Sequence, residues 1–112
     1  MIKGNLDAII GQKPGLTKSE TVSYLAHKTG LTRIETETVV DGLLGIVQEV
    51  LSLGKKVELR GFGTFSVRIR QPREARNPAT QETVMLDRRF VPVFKPSKTL
   101  RAAVDSAMES QR

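Results

Sequence analysis

The sequence predicts an α+β protein in which two helices come first, strands follow, and a helix closes the chain. Three observations predict it. Two segments open with the same helix-start grammar, Gly15-Leu16-Thr17-Lys18-Ser19-Glu20 and Gly30-Leu31-Thr32-Arg33-Ile34-Glu35. From Lys56 the apolar period shortens to two. Between the strand-like segments runs a basic, proline-punctuated stretch, Pro72-Arg73-Glu74-Ala75-Arg76-Asn77-Pro78, nearly empty of anything a core could use. A polar excursion of that kind in a small domain is more often functional or disordered than structural.

In each helix start a threonine is followed three residues later by a glutamate, the spacing at which hydroxyl and carboxylate satisfy unpaired backbone donors at a helix N-terminus. The first helix is predicted from about Lys18 to Thr29, with Val22, Leu25 and Ala26 on one face and Gly30 as its stop. The second is predicted from about Arg33 to Leu53, closed by Gly54. Its Val39, Val40, Leu43, Leu44, Ile46, Val47, Val50 and Leu51 cover more than one stripe, so two sides require burial, the second most naturally against another subunit. Gly42 and Gly45 inside it read either as a close helix contact or as two tolerated glycines.

Val57 and Leu59, and after Gly61-Phe62-Gly63 the residues Phe65, Val67 and Ile69, alternate with polar side chains as a hairpin of half-buried strands does. Val84 and Leu86, then Val91, Val93 and Phe94, predict a returning strand, which leaves residues 71–83 as an arm or loop between partners. Pro96-Ser97-Lys98 opens a last helix carrying Leu100, Ala103, Val104, Ala107 and Met108 at helical spacing.

The chain has 112 residues and a net charge of +6. Residues 55–101 carry 12 lysines and arginines against 4 acids, a net of +8, while residues 1–54 and 102–112 each carry a net of −1. Positive charge confined to one segment fits a polyanionic partner. Aromatic residues are only 4% of the chain, so a lone monomer has little large apolar surface to bury and oligomerisation is expected. The absence of cysteine rules out disulfides and zinc fingers and fits a reducing compartment. Met1 to Gly15 lacks the continuous apolar stretch of a signal peptide, and no segment is apolar enough to span a bilayer. The expectation is a soluble, intracellular protein with no cofactor.

Over residues 16 to about 105 the chain resembles the bacterial HU and integration host factor family of DNA-bending proteins. The resemblance rests on Gly61-Phe62-Gly63-Thr64-Phe65, on Arg76-Asn77-Pro78 followed by Thr80, and on Val91-Pro92-Val93-Phe94-Lys95-Pro96, in that order among the expected helices. It implies an intertwined dimer with a helical body, a β-saddle and two protruding β-ribbon arms, here about residues 71–89. It further implies that the tip proline, Pro78 by position, inserts into the DNA minor groove; this kinking is a property of the family rather than a reading of these residues. The domain is then 16–112, preceded by an extension, 1–15, on which the resemblance is silent. The place implied is the cytoplasm, on the nucleoid.

Two positions depart from the family, which usually has glycine where Gln81 and Ser97 stand. A left-handed backbone at Gln81 is less comfortable without glycine, whereas Ser97 is a good N-cap. Glu58-Leu59-Arg60 resembles the beta subunit of integration host factor. There an arginine reaches an A·T-rich minor groove and a neighbouring glutamate positions it, which implies those roles for Arg60 and Glu58; the other reading is a solvent-facing pair on an ordinary strand.

The remaining candidates are electrostatic. Arg68, Arg70, Arg73, Arg76, Arg88, Arg89 and Lys95 make the strands and the arm positive, as phosphate contact and counterion release require, although each alone could simply solvate a ribbon. Lys18 and Ser19, and Ser97 and Lys98, sit at helix N-termini, where free N–H groups favour phosphate. Asn77 flanks the tip proline. Phe62, Phe65 and Phe94 read as core rather than as base-stacking residues, because their apolar neighbours alternate in phase. His27 has no catalytic partner at a telling spacing, and Gly54-Lys55 lacks the earlier glycine of a P-loop, since position 49 is Glu49. No constellation supports an enzyme or a small-molecule substrate. The reading is an architectural protein that binds and bends duplex DNA as a homodimer or a heterodimer. The alternatives are a site-preferring heterodimer subunit and a basic RNA-binding or ribosome-associated protein.

Overall fold

A computed structural model describes residues 6–111, arranged as two compact units divided between Ile46 and Val47. The first holds α1 (Leu6–Ile10), α2 (Lys18–Thr29) and most of α3 (Arg33–Ser52). The second holds the end of α3, strands β1 (Val57–Leu59), β2 (Gly63–Arg70), β3 (Arg73–Arg76), β4 (Thr83–Leu86) and β5 (Arg89–Pro96), and helix α4 (Lys98–Glu109). The predicted element order holds, and the segment before Leu16 contributes a short helix that the sequence reading left unassigned.

Both threonine–glutamate pairs form reciprocal caps. At α2 the Thr17 hydroxyl accepts from the Glu20 N–H at 3.1 Å and the Glu20 carboxylate accepts from the Thr17 N–H at 3.0 Å. At α3 the Thr32 hydroxyl accepts from the Glu35 N–H at 3.1 Å and Glu35 accepts from the Thr32 N–H at 2.9 Å. Gly30, left-handed at φ 82°, ends α2 by donating its N–H to the Ala26 carbonyl at 2.9 Å. The two helices are clipped together by Arg33, whose guanidinium donates to the Ser23 hydroxyl and, at 3.0 Å, to the Ser19 hydroxyl. An ion pair joins Lys18 to Asp41, and another joins Lys13 of the preceding segment to Glu20.

In the second unit β1, β2 and β5 form an antiparallel sheet in the order β1-β2-β5. Phe65 lies opposite Phe94, and the Phe94 ring touches both Phe65 and Phe62, with centroid separations of 4.8 and 5.4 Å. The phenylalanines pack on one another, but Phe62 and Phe94 stay exposed, so the core expected of them is not closed within the chain. Gly63 explains the Gly-Phe-Gly motif, since a Cβ there would meet the Phe94 ring at 2.5 Å and the Lys95 carbonyl oxygen at 2.6 Å. The Ser97 N–H donates to the Phe62 carbonyl at 2.8 Å while its hydroxyl caps α4 by accepting from the Leu100 N–H at 3.0 Å. Serine thus serves where the family usually has glycine.

The arm that the family resemblance implies over about residues 71–89 forms: β3 and β4 pair as a separate two-stranded antiparallel ribbon, Arg73 opposite Leu86 and Arg76 opposite Thr83. The ladder breaks at Gln71-Pro72 and Asp87-Arg88, between the two sheets. Proline has no N–H to continue it.

Burial is scant. Val22 and Ala26 are the buried hydrophobic side chains among the described residues, and the buried Thr36 hydroxyl donates to the Thr32 carbonyl at 2.8 Å. The two apolar sides of α3 stay largely open, Ile34 at 80% and Val39 at 63% of full exposure, as do Val104 and Met108 on α4. Among the described residues nothing approaches within 4 Å of a Cβ built at Gly42 or Gly45, so neither glycine serves a close contact within the chain.

The Lys13 ammonium, followed by the Thr17 N–H, holds the Glu20 carboxyl down from 4.5 to about 2. Its folded value lies below its unfolded one, so the stability it contributes is present above about pH 4.5 and is lost as pH falls towards 2. Glu20→Gln should therefore flatten the acid limb of a stability–pH profile between those values, and Thr17→Ala should cost about 1 kcal/mol at neutral pH. Urea denaturation from pH 2 to 7 measures both.

Candidate nucleic-acid interface

Because side chains alternate along a strand and directly opposed residues share a face, the β2–β5 register sorts the sheet. Phe65, Val67 and Ile69 share one face with Phe94, Pro92 and Phe90; Thr64, Ser66, Arg68 and Arg70 share the other with Lys95, Val93, Val91 and Arg89. Glu58 lies opposite Thr64 and so joins the basic face, where Arg68, Arg70, Arg89 and Lys95 are all exposed. Arg70 directly opposes Arg89, a like-charge pair that costs stability in an isolated sheet.

At the root of the arm, Arg70, Arg73 and Arg89 surround Gln71 and Pro72 in an open basin of about 490 Å³. The Arg88 guanidinium lies over the Phe90 ring, 5.5 Å from its centroid, a cation–π contact that holds the charge at the surface. Along the arm, Arg73 and Arg76 lie on opposite faces of the ribbon, so positive charge is offered on both sides.

The tip runs from Asn77 to Glu82. The Asn77 N–H donates to the Glu82 carbonyl at 2.9 Å and the Gln81 N–H to the Asn77 carbonyl at 2.7 Å. Side chains tighten the loop: Asn77 Oδ1 accepts from the Ala79 N–H at 2.9 Å, Thr80 Oγ1 from the Glu82 N–H at 3.3 Å, and Gln81 Nε2 donates to the Pro78 carbonyl at 3.3 Å. Gln81 takes the left-handed conformation, φ 61°, despite not being glycine. The tip turn that its side chain puts under strain therefore forms, and Pro78 is exposed at its head.

A second basin, of about 390 Å³, gathers Glu58, Arg60, Lys95, Ser97 and Lys98 between the β1–β2 turn and the start of α4. Arg101, which the sequence reading did not single out, lines it too. The signal was there, since Lys98 and Arg101 are three apart on a helix and share a face. No hydrogen bond or ion pair joins Glu58 to Arg60 among the described residues. Lys18 and Ser19 belong to the first unit and already have partners, Asp41 for the ammonium, which raises the lysine above its usual value, and Arg33 for the hydroxyl.

Among the described residues no group of acidic, histidine or cysteine side chains could hold a metal ion, and no helix is long and apolar enough to cross a membrane. His27 is exposed.

Comparison with known proteins agrees with this geometry. The profile of a family described as bacterial DNA-binding protein matches residues 16–105. The integration host factor beta subunit of Hahella chejuensis is 42% identical over 96 residues, 85% of this chain and 98% of that protein. The corresponding subunit of Colwellia psychrerythraea is 44% identical over 91 residues, 80% of this chain and 96% of its own. Among solved structures, Anabaena HU in a cocrystal with DNA superposes with a TM-score of 0.75 at 37% identity, covering 80% of this chain and 97% of that one. HU from Thermotoga maritima gives 0.58 at 28% identity, covering 80% and 98%. The chain belongs to the bacterial DNA-binding protein family that includes HU and the subunits of integration host factor.

Proposed function

We propose that this chain is a dimeric architectural protein that binds duplex DNA and bends it through the minor groove. One observation carries the reading: the basic face of β2 and β5 leads into a ribbon with arginines on both sides and an exposed proline at its head. Family membership, and an HU relative whose structure holds DNA, support it. Arg68, Arg70, Arg88, Arg89 and Lys95 lie against phosphates, Arg73, Arg76 and Asn77 hold the arm in the groove, and Pro78 enters a base step. Lys98 and Ser97 meet phosphate at the α4 N-terminus; at α2, Lys18 and Ser19 would do so by exchanging their partners Asp41 and Arg33 for phosphate. Residues 16–112 form the DNA-binding domain, and 1–15 extend it. The protein works on the nucleoid and performs no catalysis.

The dimer follows from unburied surface. A chain with so little buried apolar surface gains the rest of its core from a partner, so melting temperature should rise with protein concentration. A monomeric mass by light scattering at micromolar concentration, together with cooperative folding, would contradict this.

For the wedge, Pro78→Ala should reduce bending more than binding. Arg68→Ala or Arg70→Ala should weaken binding on all duplexes and lower the salt slope by about one unit each. Fluorescence transfer across a labelled duplex and titrations at several salt concentrations measure the two. Competition between duplex DNA and duplex RNA tests the RNA-binding alternative, because the deep, narrow major groove and shallow minor groove of A-form RNA do not suit a wedge-bearing ribbon.

A second reading, a site-preferring subunit that pairs with a related chain, is favoured by the likeness to beta subunits and by Glu58 and Arg60 lining one basin. If Arg60 enters a narrow A·T minor groove, Arg60→Ala should lose about 1–3 kcal/mol on an A·T-containing preferred site and much less on random duplex. Glu58→Ala should broaden preference without abolishing affinity. Equal losses for Arg60→Ala on A·T-rich and G·C-rich duplexes at matched salt would make it one more phosphate contact.

A further inference from the structure

Gln81 is the single non-glycine residue with positive φ among the described residues, and it stands at the arm tip, three residues after Pro78. Such a conformation persists only where the surroundings over-determine it. Here they do so through backbone bonds from Gln81 to Asn77 and from Asn77 to Glu82, and through the side-chain bonds of Asn77 and Thr80. Glycine would relieve the strain, but it also populates both signs of φ and would loosen the loop.

What glutamine adds is its own bond, Nε2 to the Pro78 carbonyl at 3.3 Å. The pyrrolidine ring already fixes φ of Pro78. Its one soft backbone torsion is ψ, which sets the plane of the Pro78–Ala79 peptide and so the direction of the carbonyl. An amide donor held on that carbonyl restrains ψ.

We infer that Gln81 is a positioning residue for the Pro78 wedge: its side-chain amide fixes the one torsion of the proline that the ring leaves free. The tip is thereby set before DNA arrives. This rests on the bending function proposed above. It assigns no DNA contact to Gln81. A preset wedge loses less conformational freedom on insertion, which lengthens the life of the bent complex more than it speeds encounter.

The test uses the full chain, as the dimer, on a duplex labelled at both ends. Gln81→Met keeps the length of the side chain and removes the donor, while Gln81→Gly removes both side chain and strain. Losing one neutral hydrogen bond should shorten the lifetime of the bent complex about three- to tenfold in Gln81→Met, and by at least as much in Gln81→Gly. In Gln81→Met the melting temperature and the salt slope of binding should stay as in the wild type, whereas loss of a merely structural residue would lower the melting temperature. In a Pro78→Ala background Gln81→Met should have no further effect on bending. Wild-type lifetimes in both Gln81 variants, while Pro78→Ala shortens them, would overturn the inference and leave the bending function intact. So would an equal effect of Gln81→Met with and without Pro78. A wild-type chain that binds duplex without bending it would remove the inference together with the function it rests on.

Discussion

The register of β2 against β5 is the constraint on which the second unit depends. Phe65 opposite Phe94 places every apolar residue of both strands' aromatic face together, and leaves Arg68, Arg70, Arg89 and Lys95 to the other. A slip of one residue would exchange the faces of one strand, setting arginines against phenylalanines. Gly63 guards against this, because the Phe94 ring occupies the space a side chain would need there. The same contact anchors the turn whose Phe62 carbonyl receives the Ser97 N–H, so the start of α4 and the sheet are positioned by one cluster.

The first unit is organised by local polar chemistry instead. Two reciprocal caps, the Arg33 clip and the Lys18–Asp41 pair define where α2 and α3 begin and how they meet, around very little apolar burial. Exposed ion pairs contribute little each. The missing stabilisation has to come from covering α3, which is apolar on more than one side. If a second subunit supplies that cover, as proposed above, folding and assembly are coupled, and a change that weakens the subunit contact also weakens the helices.

Much of this was legible in the sequence because it is local. Capping spacing placed the starts of α2 and α3 at Lys18 and Arg33, and strict alternation placed β2. In β5 the apolar residues do not alternate, and the register divides them, Phe94 to the aromatic face with Phe90 and Pro92, Val91 and Val93 to the basic one. What was missed depends on residues without a local signal. Arg73-Glu74-Ala75-Arg76 has no alternating apolar pattern, so its residues alone give only an arm or loop; the family resemblance implies the ribbon, and pairing with β4 supplies its backbone partners. α1 is too short for periodicity to reveal it. The conformation of Gln81 ran against its residue type, because hydrogen bonds across the tip outweigh the preference. Lys13 on Glu20 and Arg101 beside Arg60 and Lys95 are contacts that only folding brings about.

The break in the ladder at Gln71-Pro72 and Asp87-Arg88 gives the arm two edges of its own, since β3 and β4 pair only with each other. An unpaired edge is a template for another strand, and two-stranded ribbons projecting from many molecules would otherwise stack into aggregates. Arg73 and Arg76 make the β3 edge self-repelling, and Pro72, immediately before it, has no N–H with which to lengthen that edge. The charges that suit a polyanion therefore also keep the β3 edges of unoccupied arms apart, and replacing them with neutral side chains would trade affinity and solubility together.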